Sequence, residues 1–321
     1  MMRDLIEDLF VKDFDDDILA RLDDAAPLDV PGTRIAMSTD TFVVSPLFFP
    51  GGDIGRLAVC GTVNDVATSG ATPLYLSVGF VLEEGFGIGE LEKILISMRD
   101  SATEAGVRIV TGDTKVVEKG HGDGIYVNTA GIGALPEDLD LSSAGCRPGD
   151  KVVLSGTLGD HGIAVISKRE GLTFETDILS DAAPLNHLVA ATLEAAPDSR
   201  CFRDPTRGGL ASTLNEIAGA SGVSITIEED AVPVRDQVQG ACEMLGYDVF
   251  QVANEGKMVA IVPAGQADAA VEAMRAAPYG EDATVIGEVL EDPPGKVYVQ
   301  TGFGAKRIMD MLVGEQLPRI C

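Results

Sequence analysis

Residues 53–73, "DIGRLAVCGTVNDVATSGATP", are apolar on almost every side. A helix on a protein surface needs only one apolar stripe, whereas a helix that is apolar all round has to be covered all round. The stretch therefore predicts a buried helix, ended by Gly70 and Pro73. A chain of 321 residues exceeds one ordinary domain and, at 45% hydrophobic residues, holds enough apolar material for two cores.

Strand-like runs fall at 33–42, 74–82 and 124–135. Between them, Leu91, Ile94, Leu95, Met98 and Ala102 mark one face of a helix over 90–106. "CRPGDKVVLSG" (146–156) is a turn followed by a fresh strand, which places a boundary near residue 148. Beyond it, strands are expected at 151–155, 223–228, 248–253, 257–263, 283–290 and 296–300. Helices are expected at 159–169, 184–196, 206–220, 234–245 and 265–277. Strands and helices interleave in both halves, so the fold class is α/β or α+β. The expected division is 1–148, 149–304 and a tail over 305–321, through which Pro318 forbids a helix.

The formal net charge of -27 makes nucleic acid an unfavourable partner and repels anionic substrates unless a metal ion or local basic patch intervenes. The five cysteines, Cys60, Cys146, Cys201, Cys242 and Cys321, are scattered and odd in number, which suggests a reducing cytoplasm rather than a disulfide framework. "MMRDLIEDLF" does not read as a signal peptide, and no apolar run is long enough to span a membrane. His121, His161 and His187 show no ligand spacing and read as surface or capping residues.

Four segments place an acid beside small or hydroxylated residues: "STDTF" (Asp40), "GTVNDVATSGATP" (Asn64, Asp65), "VTGDTKVV" (Gly112, Asp113, Thr114, Lys115) and "RDPTRGGLASTLNEIA" (Asp204, Thr206, Gly208). A single Asp is usually a cap or a turn residue. Four such acids suit a hard cation such as Mg²⁺ that shares its oxygens with nucleotide phosphates. In the last segment Asp204 reads as a helix cap and Pro205 as the first helical residue, with Gly208 and Gly209 leaving N–H groups open to an anion. There is no P-loop and no dinucleotide fingerprint. "DVFQVANEGKMVAIVP" (248–263) reads strand, break, strand, with Glu255 at the break either as a turn charge facing water or as a base on a tight loop.

Together with the closing "PRIC", these motifs resemble the HypE family of hydrogenase maturation proteins, within the PurM-like (AIR synthase) superfamily; the resemblance covers nearly the whole chain. It implies a two-domain PurM-like fold, an N-terminal domain that forms a homodimer around an ATP site, and a mobile C-terminal tail. It further implies that Asp40, Asp65, Asp113 and Asp204 hold Mg²⁺ and the ATP phosphates. Lys115 and Glu255 would flank the reacting group, and Cys321 would carry it. In that family a HypF partner loads a carbamoyl group on the sulfur. The group is dehydrated to a thiocyanate with ATP, and the cyanide passes to iron on a HypC–HypD complex for an [NiFe]-hydrogenase.

The chemistry suits these parts. Loss of the carbonyl oxygen from S–C(=O)–NH₂ needs a better leaving group than hydroxide, which phosphoryl transfer supplies. It also needs a base, and Glu255 and Lys115 could share or exchange that role. Seven peptide steps from Gly314 to Cys321 reach up to roughly 25 Å, enough for one sulfur to visit different surfaces. The rival readings are another PurM-like enzyme, of the thiamine-monophosphate kinase or selenophosphate synthetase type, and a non-catalytic scaffold regulated by nucleotide.

Overall fold

The computed structural model describes residues 23–30, 33–172, 178–311 and 319–321. The reading of the first ten residues, and that of residues 314–318 as part of a tether, lie outside them.

The first half runs β1 (Ala26–Val30), β2 (Thr33–Phe42), the short pair β3 (Phe48–Phe49) and β4 (Gly52–Asp53), α1 (Ile54–Thr68), β5 (Thr72–Glu83), α2 (Ile88–Ala105), β6 (Arg108–Val117) and β7 (Ile125–Leu135). Its sheet has the order β1-β2-β7-β5-β6. The second half runs β8 (Lys151–Leu154), α3 (Asp160–Glu170), α4 (Asn186–Ala195), β9 (Cys201–Arg203), α5 (Gly209–Ser221), β10 (Ser224–Glu228), α6 (Asp236–Leu245), β11 (Val259–Val262), α7 (Ala267–Ala276), β12 (Thr284–Leu290), β13 (Lys296–Gln300) and β14 (Lys306–Ile308). Its sheet has the order β14-β13-β10-β12-β8-β11-β9. Both halves are mixed α/β, as the interleaved pattern predicts. No described helix is long and apolar enough to cross a membrane.

The helix α1 explains its own composition. The side chain of Asp53 caps it by accepting the N–H groups of Gly55 and Arg56. Its residues pack into the core of the first sheet, with Ile54, Leu57, Val59 and Val63 among Phe42, Leu76 and Val127. On another side Ala67 joins Leu185, Leu188 and Phe202 of the second half. Asn64, fully buried, donates to the Ala183 carbonyl at 3.0 Å and accepts the Leu185 N–H at 2.7 Å. The helix is covered by both halves, so it has no polar face. Gly70 ends it with φ at 79°, but Pro73 lies inside β5 rather than in a helix stop.

Two expectations need correction, and one strand was not foreseen. Residues 248–253 form no strand: Val249–Gln251 make a 3-10 turn, and 252–258 run as a buried loop into β11, so this is not a hairpin facing water. Asp204 does not cap α5, which begins at Gly209 after Gly208 at φ 78°. A Cβ on Gly209 would sit 2.6 Å from the Val252 carbonyl oxygen, so the two glycines let the chain turn hard against that loop. Finally, β6, at the edge of its sheet, was not readable as a strand because it is exposed on both faces and shows no alternation.

Candidate functional site

The last three residues are docked between the halves. The Val43 N–H donates to a Cys321 main-chain oxygen, and the Ser45 N–H to the Arg319 carbonyl, both at 3.1 Å, so 319–321 align antiparallel to 43–45. Arg169 ties the two segments, donating to the Ser45 and Arg319 carbonyls at 2.7 Å each. His161 Nε2 donates to the Ile320 carbonyl at 2.8 Å, while Nδ1 meets the Ser180 hydroxyl at 2.8 Å. Ile320 is buried in the core shared by the two halves. The carbonyl oxygens of Arg319 and Ile320 and one terminal oxygen of Cys321 thus each have a donor, which is what burying such groups requires.

This docking presents the sulfur to a specific set of charges. Arg207 Nη2 lies 3.8 Å from Cys321 Sγ. Burial, with the nearby Glu255 and Asp40 carboxylates, pushes the Cys321 thiol far up, and Arg207 opposes them. Glu255 is itself buried, and its Oε1 has no hydrogen-bond partner among the described residues. Burial, then Asp204, Asp40 and Asp181, hold its carboxyl well above the usual range, with Arg207 again opposing. Once ionised, such a carboxylate is a stronger base than an exposed one.

Further acids lie around Glu255. Burial and the neighbouring Asp204, Asp24 and Asp40 raise Asp65 well above its ordinary value; Ser38 donates to it at 2.8 Å. Asp204 is pushed up to about 6, chiefly by burial. Burial also raises Asp40, against the Thr41 N–H and Arg207. Mutual repulsion of this kind fits a cation brought in by a ligand. Among the described residues, however, no three acids converge on one point to form a metal cage. The donor set fits an ion held by one or two carboxylates together with phosphate oxygens.

Asp40, Asp65, Asp204, Glu255 and Cys321 therefore come together, with Thr206 and Gly208 on the loop before α5. Gly112, Asp113, Thr114 and Lys115 do not. Thr41, Asn128, Gly79 and Asp113 form one row across β2, β7, β5 and β6. Three strand spacings of about 4.8 Å put Asp113 about 14 Å from Thr41. Lys115 is exposed and pairs with Asp113 at 2.9 Å. Asn64 is also withdrawn from any ligand, since both sides of its amide join α1 to the second half.

Sequence reasoning missed two residues at the tail. His161 was expected at the surface or as a cap; it is fully buried and holds Ile320. Arg207 is the cation beside the sulfur, whereas Arg319 pairs with Asp123 at 3.2 Å. No local pattern announces a contact between residues more than a hundred positions apart. Cys60, Cys146, Cys201 and Cys242 are buried, as expected of small apolar residues.

Residues 22–135 match the family model for the N-terminal domain of AIR synthase related proteins, and 147–300 match that for the C-terminal domain. The carbamoyl dehydratase HypE of Azotobacter vinelandii is 54% identical over 320 residues, covering 100% of this chain and 94% of the relative. A solved HypE–HypF complex contains a chain 50% identical with a TM-score of 0.91, covering 96% of this chain and 99% of that one. A HypE structure in complex with ATP is 50% identical with a TM-score of 0.87, covering 100% and 96%. The shared fold, the full-length identity and the docked cysteine agree: this chain belongs to the HypE family of AIR synthase related proteins.

Proposed function

We propose that the protein is an ATP-dependent carbamoyl dehydratase that converts an S-carbamoyl group on Cys321 into a thiocyanate, supplying cyanide for the iron of [NiFe]-hydrogenase. The observation that carries this reading is the seat of the sulfur, with Arg207 3.8 Å from it and, nearby, the buried Glu255, whose Oε1 has no hydrogen-bond partner among the described residues. A carbamoyl group extending from Sγ enters a region already furnished with one guanidinium and one strong carboxylate base.

ATP supplies the phosphoryl group that lets the carbonyl oxygen leave. One or two of Asp40, Asp65 and Asp204 would hold Mg²⁺, which would supply neutralisation of phosphate charge. Two N–H protons have to leave: Glu255 takes the first as the carbonyl oxygen is phosphorylated, and the departing phosphate takes the second as the C≡N bond forms. Arg207 steadies negative charge on the oxygen side. His161, Arg169 and the 43–45 segment hold the tail so that the group does not swing away; fixing a reactant in this manner removes much of the entropic barrier.

The homodimer completes the site in this reading. β6 is an unpaired edge, exposed on both faces, with Val110 and Val116 at 51% and 66% exposure. Such an edge invites pairing with a second copy, and a partner's β6 is the route by which an Asp113–Lys115 pair reaches the acids across the dimer. The division at about residue 148, with the tail after 304, fits a docking arm that also visits a HypF partner for loading and a HypC–HypD complex for delivery, in the cytoplasm. Incubation with HypF, carbamoyl phosphate and Mg-ATP, read by intact mass, tests the reading. A Cys321 adduct that loses the mass of one water supports it. ATP binding with a permanently intact adduct contradicts it, and Cys321→Ala should bind ATP yet gain no adduct.

A further inference from the structure

The loop that carries Glu255 hangs on one carboxylate and one ammonium. Asp181 Oδ1 accepts the Glu255 N–H at 3.0 Å. Asp181 Oδ2 faces Lys257 Nζ at 3.2 Å. Lys257 Nζ turns back and donates to the Gly256 carbonyl at 3.2 Å. These contacts close a ring around the main chain of residues 255–257. The fit admits no side chain at the middle position, because a Cβ on Gly256 would fall 1.7 Å from the Asp181 carbonyl oxygen.

The pair is buried, with side-chain exposures of 9% for Lys257 and 4% for Asp181. A buried ion pair is weak evidence for stability, since well-packed apolar residues commonly serve as well; its attested use is to fix one arrangement among several. The arrangement fixed here is the direction of the Glu255 main chain, three bonds from a carboxyl whose Oε1 has no hydrogen-bond partner among the described residues to orient it. Behind the pair lies a cavity of about 460 Å³ that Asp181 and Lys257 help to line, together with Arg56, Asp160 and Arg235. The Lys257 stem packs along Gly156, where a Cβ would come within 3.1 Å of Cε.

We propose that Asp181 and Lys257 are positioning residues for the base: their ring of contacts holds the 255–257 main chain so that Glu255 faces the group on Cys321. The proposal rests on the dehydratase reading. Neither residue touches the reacting atoms; Asp181 also faces His161, which holds the tail, so the alkylation rate of unloaded Cys321 separates an effect on docking from one on the chemical step. Misplacement of a catalytic group by about 1 Å costs about 10²-fold.

The test is single-turnover dehydration of the carbamoylated full-length protein in the wild type, Lys257→Met, Lys257→Arg and Asp181→Asn, at varied ATP. Lys257→Met is expected to lower the limiting rate about 10²-fold while the ATP concentration for half-maximal rate and the alkylation rate of unloaded Cys321 stay at wild-type values. Lys257→Arg should restore most of the rate, because the cavity gives the larger cation room. Asp181→Asn keeps an acceptor for the Glu255 N–H but weakens the ion pair, and should fall between. A wild-type rate in Lys257→Met or Asp181→Asn overturns the proposal. So does a rate loss matched by an equal loss of ATP affinity, which marks a general structural role. If Lys257→Met does not fold, Asp181→Asn and Lys257→Arg decide by the same criteria. A wild-type protein that never loses the water mass refutes the dehydratase reading instead.

Discussion

Replacing His161 by alanine removes the donor to the Ile320 carbonyl, which lies in the buried core between the halves. A buried acceptor left without a partner costs about 1–3 kcal/mol. The docked state has little to spare. Burying Ile320 contributes about 2 kcal/mol, and the four hydrogen bonds from Val43, Ser45, His161 and Arg169 about 1 kcal/mol each. Ordering three residues costs about 1–2 kcal/mol each in backbone entropy alone, so the balance is a few kcal/mol. At 1.4 kcal/mol per factor of ten, His161→Ala should lower the docked-to-undocked ratio about 5- to 150-fold. Alkylation of Cys321 by iodoacetamide reads this directly. Docked, the thiol is held protonated by burial; undocked, it returns to about pKa 8.5 and reacts. The other four cysteines are buried and label late. His161→Ala should alkylate at least about fivefold faster than wild type, and His161→Gln, whose amide can reach the same carbonyl, should stay close to wild type. A folded His161→Ala that alkylates at the wild-type rate would refute the idea that this histidine holds the tail.

Arg207→Met removes the cation that opposes the rise of the Glu255 carboxyl. Dehydration needs Glu255 ionised, so the rate is lost as pH falls through its value; the other groups around it are Asp40, Asp181, Asp204 and the Cys321 thiol, and the Lys257 ammonium is committed to Asp181 and the Gly256 carbonyl. The acid limb of the single-turnover pH profile should therefore move to higher pH. Asp204 is raised from 3.8 to about 6 in the folded protein, so the unfolded chain releases that proton first and stability falls as pH rises through this window. Without ligands at pH 7, Asp204→Asn should be more stable, on the order of 1–3 kcal/mol, by denaturant titration, and less responsive to Mg-ATP. Gly256→Ala drives a methyl into the Asp181 carbonyl; a loss of about 3 kcal/mol should lower the melting temperature by about 6–12 °C.

The sequence exposed whatever depends on near neighbours along the chain. The strand at 33–42, the helix at 90–106 and the repeated mixed pattern of the second half all follow from short-range periodicity, and the structure agrees closely. The all-round apolar character of 54–68 correctly signalled burial, although not that two separate cores would share the helix. What short-range pattern does not reveal is whatever depends on distant partners. Asp113 and Asp40 sit in motifs of the same kind, yet within one chain the order β2-β7-β5-β6 puts two strands between them. The 248–263 stretch alternates like a hairpin, but the loop is pinned by Asp181 and lies buried. His161 falls in a helix with no ligand spacing, and only the docked tail gives it a task. A resemblance supplied the role of Cys321; the contacts that make its sulfur addressable appear only in three dimensions.

The most direct test of the dehydratase reading is infrared spectroscopy of the protein carbamoylated with ¹³C-labelled carbamoyl phosphate and then given Mg-ATP. The account predicts a nitrile stretch that moves with the label in the wild type and does not develop in Glu255→Gln, although both proteins bind ATP and dock the tail equally. A labelled nitrile band growing at the wild-type rate in Glu255→Gln would contradict it.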